Sequence, residues 1–211
     1  MIGGMMTVPA SFLRGMRSLT DVSLTLDAEA AVRANVTCEI GSYAFEGCNS
    51  LGSRLLIDGT YTSVGTRAFA ETAITSFTVP SSVTRLADEV FYGTEDLFEL
   101  TIEENSYFDD NNGNYYTLVD RLSDLFGADS LSVWLAEHPA QDEGDYPFYT
   151  AYDKAVPEAL TSVTIGGMLT VPDSFLRGMR SLTEASLSVN NDRADAAGVV
   201  PEIGSYAFAG C

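Results

Sequence analysis

The side chains able to do chemistry are few and scattered. Three cysteines (Cys38, Cys48, Cys211) and a single histidine, His138, are the only soft ligands among 211 residues, so a four-ligand zinc site would need all of them together. His138 lies in Ala136-Glu137-His138-Pro139 with no serine or cysteine motif beside it to mark a nucleophile. Asp109-Asp110-Asn111-Asn112-Gly113-Asn114 offers hard oxygens and a glycine turn. Asp109, Asp110 and Asn112 are therefore a calcium candidate, but the regular alternation and distal glutamate of an EF-hand are missing. A solvated hairpin tip is the plainer reading. Glu103-Glu104 suggests a glycosidase pair, yet neighbours on a strand point to opposite faces and would not share a site. Trp134, Tyr146, Tyr149 and Tyr152 could form an aromatic saccharide platform, but core or loop packing is the plainer reading. Asn35-Val36-Thr37 matches a glycosylation acceptor and reads as incidental. No catalytic set converges, and no cofactor is expected.

The chain that must position these groups is strongly acidic. Its 11 basic and 30 acidic residues give a formal charge of −19, which repels phosphate backbones and anionic headgroups. Nucleic acid is not an expected partner. No run of 18 apolar residues exists, so no membrane insertion is expected from this segment, and Met1 to Met6 lacks the regions of a signal peptide. With 45% apolar and 19% charged residues, disorder is not expected from the composition.

The sequence repeats at two scales. Ile2–Cys48 and Ile165–Cys211 align without a gap at an offset of 163, with 31 of 47 positions identical. Identity is 19 of 25 from Ile2 to Leu26, 3 of 12 from Asp27 to Cys38 and 9 of 10 from Glu39 to Cys48. The divergent middle is expected to be an exposed loop with few packing demands. Pro201 stands where Cys38 falls, whereas Cys48 and Cys211 are equivalent. A Cys38–Cys48 bridge is thus the weaker reading, and Cys48 is expected as a buried free thiol packing as a small hydrophobe.

A shorter period joins an aliphatic residue, a small or proline residue and an apolar pair. The copies are Val8-Pro9…Phe12-Leu13, Ile40-Gly41…Ala44-Phe45, Val64-Gly65…Ala68-Phe69, Leu86-Ala87…Val90-Phe91, Val171-Pro172…Phe175-Leu176 and Ile203-Gly204…Ala207-Phe208. Phe45 to Phe69 is 24 residues and Phe69 to Phe91 is 22, the spacing of repeats that each add a short strand and a turn. Strands with one buried face are expected around Leu19–Leu24, Ile74–Val79, Leu97–Ile102, Leu160–Ile165 and Leu182–Leu187. One such unit cannot bury its own apolar face, so neighbours must stack and pair their strands in parallel. The outward columns are Ser23, Thr78, Thr101, Thr164, Ser186 and Asp21, Ser76, Glu99, Ser162, Glu184. They lack the Trp, Tyr and Arg favoured at interface centres.

Ile40-Gly41-Ser42-Tyr43-Ala44-Phe45-Glu46-Gly47-Cys48-Asn49-Ser50-Leu51 and Ile203–Cys211 resemble the IGxxAFxGCxxL signature of BspA-like bacterial surface leucine-rich repeat proteins. Met16, Thr72, Thr94 and Met179 replace its cysteine in other copies. Two further stretches resemble segments common in that family: Glu104 to Tyr116 its hairpin insertion, and Leu122–Gly127 with Val156–Ile165 a spacer between repeat blocks. The resemblance implies a leucine-rich-repeat-like, right-handed curved solenoid with short parallel β-strands and irregular or short helical convex segments. It also implies a non-enzymatic protein, secreted or held at the cell surface, that adheres to host or partner-cell surface proteins or glycans. A structural spacer projecting another domain is the alternative.

These readings divide the chain into a repeat block at 1–108, a hairpin and spacer insertion at 109–157, and the start of a second block at 158–211. Within the insertion, Leu118, Val119, Leu122, Leu125 and Phe126 have helical spacing and predict an amphipathic turn or two. Leu131–Leu135 alternates like a strand, and Gln141–Pro147 is a polar loop by composition. Both termini fall inside the duplicated block without a polar cap, so the piece is expected to be a fragment whose end layers fray or associate end to end.

Overall fold

Apolar residues at alternate positions turn one face of strands such as Val22–Leu26 and Glu99–Ile102 inward, and the stacked strands form walls around the main core. The computed structural model describes residues 2–104, 107–109, 115–119, 122–127 and 157–211. Strands β1 (Ile2–Met5), β2 (Val22–Leu26) and β4 (Leu55–Asp58) make one parallel sheet in the order β1-β2-β4. Strands β6 (Ser76–Val79), β8 (Glu99–Ile102), β11 (Ser162–Met168) and β12 (Glu184–Val189) make another, in the order β12-β11-β8-β6. A second wall consists of the two-residue strands β3 (Glu39–Ile40), β5 (Ser63–Val64) and β7 (Arg85–Leu86), extended by a bridge from Val8 to Ile40. The outward columns stand in register, Ser76 beside Glu99, Ser162 and Glu184, and Thr78 beside Thr101, Thr164 and Ser186.

The turns form a third hydrogen-bonded ladder. Ser11, Tyr43, Arg67, Glu89, Ser174 and Tyr206, all at the same repeat position, have φ between 53° and 61°. That left-handed conformation costs an ordinary residue about 1–2 kcal/mol, but it aims backbone donors at the adjacent layer. Tyr43 N donates to Thr66 O at 2.9 Å, and Phe45 N, Phe69 N and Phe91 N donate to Ala68 O, Val90 O and Leu125 O at 2.8, 3.0 and 2.8 Å. Layers approach so closely that a Cβ on Gly65 would lie 2.5 Å from Ser42 N. This contact accounts for the glycine in the motif.

Inside the turns the phenylalanines stack. Phe45, Phe69 and Phe91 are fully buried, with centroid separations of 5.4 and 6.0 Å, and Phe126 continues the column 6.1 Å from Phe91. Phe126 belongs to a single 3-10 turn, Leu122–Phe126, which buries Leu122, Leu125 and Phe126 as the helical spacing predicts. The spacer segment thus supplies a layer of the stack. Outside the column, Arg67 lies between Glu89 (2.5 Å) and Glu46 (3.8 Å) and over the Tyr92 ring (4.3 Å). Arg14 reaches Glu46 Oε2 at 2.5 Å as an ion contact without hydrogen-bond geometry. Half-exposed pairs of this kind contribute little individually, but here they clip successive layers together.

The cysteine position is a capping position. Cys48 is a buried free thiol whose Sγ donates to Leu13 O at 3.1 Å. Burial raises its pKa, which suits a packed thiol better than a reactive one. In the next layers Thr72 donates to Phe69 O at 2.8 Å, and Thr94 donates to Phe91 O. Cys38 and Cys211 are also free.

The divergent stretch differs from the expected loop. Residues 27–38 contain helix α1 (Ala28–Arg33), and its counterpart contains α2 (Asn191–Ala197). Asp27 and Asn190 cap them, each side chain accepting the N–H three residues on, and Gly198 ends α2 in the left-handed region. Each helix buries one alanine, Ala31 or Ala194, one of the few positions identical between the copies. A single buried methyl and a cap are enough to keep the element while the exposed positions vary. Strands β9 (Tyr107–Asp109) and β10 (Tyr115–Thr117) pair antiparallel as the expected hairpin.

Two residues beyond each phenylalanine-column position the turn needs positive φ again. Gly15, Gly47, Gly93, Gly178 and Gly210 supply it, while Glu71 occupies that place at φ 52°. Glu71→Gly should therefore raise stability by about 1 kcal/mol, read as a higher urea midpoint at unchanged slope. A lower midpoint would show that Glu71 packing over Gly47 and Gly93 outweighs its backbone strain.

Candidate functional site

The strand wall is split at one level. Strands β4 and β6 are successive in the stack, yet each forms the outer edge of its own sheet, and a cleft of about 300 Å³ opens between them. The layers remain joined on either side: Ala73 N donates to Leu51 O at 3.0 Å, and Thr84 N donates to Thr62 O at 2.9 Å.

A difference of one residue explains the split. From the turn aliphatic to the first inward residue the spacing is three in Leu19–Val22, Ile74–Phe77, Leu97–Leu100, Leu160–Val163 and Leu182–Ala185, but four in Leu51-Gly52-Ser53-Arg54-Leu55. The surplus residue is absorbed in a turn in which Leu55 N donates back to Gly52 O at 3.3 Å. β4 keeps its register with β2, Val22 beside Leu55 and Leu24 beside Ile57, and so loses its pairing with β6. Because the side-chain period of a strand is two, a strand cannot absorb an odd residue by sliding without turning its apolar face outward.

The split bares the inner column. Leu24, Leu100, Ile102, Val163 and Ile165 are at most 1% exposed, whereas Leu55, Ile57 and Phe77 at the gap are only half-buried. Phe77 closes the floor, 4.7 Å from Phe69 and 5.2 Å from Phe91. Tyr61 lines one end and is buried. That burial, with Glu103 nearby, raises its pKa far above the ordinary tyrosine value. Val22 N donates to Arg54 O, so alternation turns the backbone groups of Ile57 away from β2 and toward the gap, together with the carbonyl of Leu55, whose N–H is held by Gly52 O. At the two ends of the β6–β8 pair, Thr75 O accepts from Phe98 N and Glu99 N and Val79 O accepts from Glu103 N, which leaves the backbone groups of Ser76 and Thr78 facing the gap from the other side.

The rim is acidic. Asp58 and Glu99 are exposed beside it. The neighbouring base, Arg54, is engaged by Asp21 at 3.1 Å. Hydrogen bonds from Thr20 and Arg54 hold the Asp21 carboxyl below the ordinary carboxylate value.

Of the site candidates chosen by residue type, Glu103, Glu104 and Asp109 lie among the described residues, and none of these three lines the cleft. Asp109 ends β9 opposite Tyr115, and Asp110, Asn112, Trp134, His138, Tyr146, Tyr149 and Tyr152 lie outside the described residues. Among the described residues, no cluster of three His, Cys, Asp or Glu could hold a metal ion, and no helix is long and apolar enough to cross a membrane. Glu103 and Glu104 follow β8 without sharing a site: Glu103 accepts from Ser81 N at 2.9 Å, while the Glu104 backbone packs against Gly167. The cleft was signalled in the sequence by the four-residue spacing at Leu51–Leu55.

Stacked layers with short parallel strands, tight turns and a phenylalanine column define a leucine-rich-repeat solenoid. A family model described as "BspA type Leucine rich repeat region (6 copies)" matches residues 29–116, less than half of the chain. The crystal structure of a leucine-rich repeat protein from Bacteroides ovatus is 17% identical, with a TM-score of 0.30, over 97% of this chain and 68% of that one. Among curated proteins none matches.

The buried Tyr61 hydroxyl has a consequence in alkali. A group whose ionisation is disfavoured in the folded state leaves stability intact below its unfolded pKa, about 10 for tyrosine, and removes stability as pH rises above it. The alkaline fall in stability should be shallower in Tyr61→Phe than in the parent when urea midpoints are compared between pH 9 and 11. Parallel curves would mean the hydroxyl ionises freely in the fold.

Proposed function

We propose that this segment is a non-enzymatic recognition element of a bacterial secreted or surface-held protein, binding a protein or glycan of a host or partner cell through the split strand wall. The cleft between β4 and β6 carries the reading: it exposes apolar side chains from Leu55, Ile57 and Phe77 beside backbone donors and acceptors, the composition of a ligand site. The repeat family supports a display scaffold. The acidic surface keeps such a scaffold soluble and disfavours nucleic acid and anionic lipid as partners.

A second reading, an inert spacer, draws support from the rest of the wall. Outside the split its outward columns are small hydroxyls and acids, a surface without anchors for a partner.

Deleting Ser53 restores the three-residue spacing of the other layers and should close the wall. The parent and this variant would be screened for binding to extracellular-matrix proteins and a glycan panel. Saturable binding by the parent, reduced at least tenfold in the deletion variant, is the expected result. Binding of equal strength in both would move the site elsewhere, and no binding by the folded parent would favour the spacer.

A further inference from the structure

We infer that the occupant of the split is a short extended peptide, apolar at its centre and basic at its flanks, which adds as a strand between β4 and β6. This rests on the recognition reading above and names its ligand class.

The backbone supplies the first argument. Two facing strand edges, with the groups of Ile57 on one side and of Ser76 and Thr78 on the other, present alternating N–H donors and C=O acceptors across the gap. Only a ligand with its own alternating donors and acceptors satisfies both edges at once, and an extended peptide is such a ligand. Unlike an ordinary sheet edge, which receives a strand on one side, this site receives it on two.

Size and surface chemistry narrow the class. The 300 Å³ of the cleft lies at the small end of ligand sites and is too small a volume to take in a helix, which is about 10 Å across. The interlayer bonds at Leu51–Ala73 and Thr62–Thr84 close both ends, so the segment dips in from the outer face and its flanks rise back to solvent. A saccharide would want an open ring face, but Tyr61 is 4% exposed and Phe77 packs against Phe69 and Phe91. The inner column instead suits one or two aliphatic side chains directed inward from alternate positions of a strand.

Charge sets the flanks. Asp58 and Glu99 stand exposed at the rim, Arg54 is engaged by Asp21, and the whole chain carries −19. Lysine or arginine on the outward positions of the ligand meets these carboxylates, and the field of the chain speeds its approach.

The test uses fluorescence anisotropy of the full chain with a labelled seven-residue peptide of alternating lysine and valine. Two controls accompany it: the same sequence N-methylated at alternate amides, and a glutamate–valine counterpart. The lysine peptide should bind saturably, while N-methylation and the glutamate sequence should each weaken binding at least tenfold. Asp58→Lys with Glu99→Lys should invert the preference between lysine and glutamate peptides without changing the fold, since both side chains are exposed. Equal binding of the methylated and unmethylated lysine peptides would reduce the effect to attraction by a polyanion and overturn the inference. If none of the peptides binds, the inference also fails. The recognition reading survives that outcome when a matrix protein or glycan binds the parent and not the Ser53 deletion.

Discussion

Everything in this solenoid depends on backbone hydrogen bonds that must recur at every layer. A coil of some 22 residues has no interior of its own, so its donors and acceptors point along the stack and are satisfied only by the coils above and below. The long strands do this by ordinary parallel pairing. The turns do it by placing a residue such as Tyr43 or Arg67 in the left-handed region, where its N–H meets the next layer. The local strain of those residues is offset by the bonds it permits, and the close approach it enforces excludes any side chain at Gly65. The phenylalanine column follows from the same spacing: rings carried by equivalent turns have little choice but to stack.

Such a constraint makes the core legible in the sequence and the walls less so. The aliphatic, the glycine and the phenylalanine recur because each faces a contact that every layer repeats, and Phe126 could be placed in the interior by the spacing of Leu122 and Leu125 alone. The helices α1 and α2 were hidden because the two copies share so few residues there, and only one of the shared pairs, Ala31 and Ala194, is buried in both. Low identity there signalled solvent exposure, not loss of structure. The Asp27 and Asn190 caps were visible as residue types, but a six-residue helix lacks the length for its periodicity to show.

The cleft was hidden for a different reason. Candidate sites chosen by residue type favoured aromatic rings, acids and cysteines, whereas this one consists of ordinary strand residues made available by a change in spacing. Leu55, Ile57 and Phe77 are core residues by character, and nothing in their identity separates them from Leu24 or Leu100. Only the count of residues between Leu51 and Leu55 does. In repeat proteins a departure from the period is therefore as informative as a motif, because a single surplus residue must be absorbed somewhere in a lattice of fixed spacing.

The split also changes how the stack bears load. One strand wall is not a continuous plate but two, β1-β2-β4 and β6-β8-β11-β12, and at the seam the short strands and turns alone connect the layers. Bending resisted elsewhere by stretching a sheet is carried at this level by the short strands and the turn bonds alone. The seam is a compliant joint between two paired sheets, and a tug or twist passed from one to the other is concentrated there.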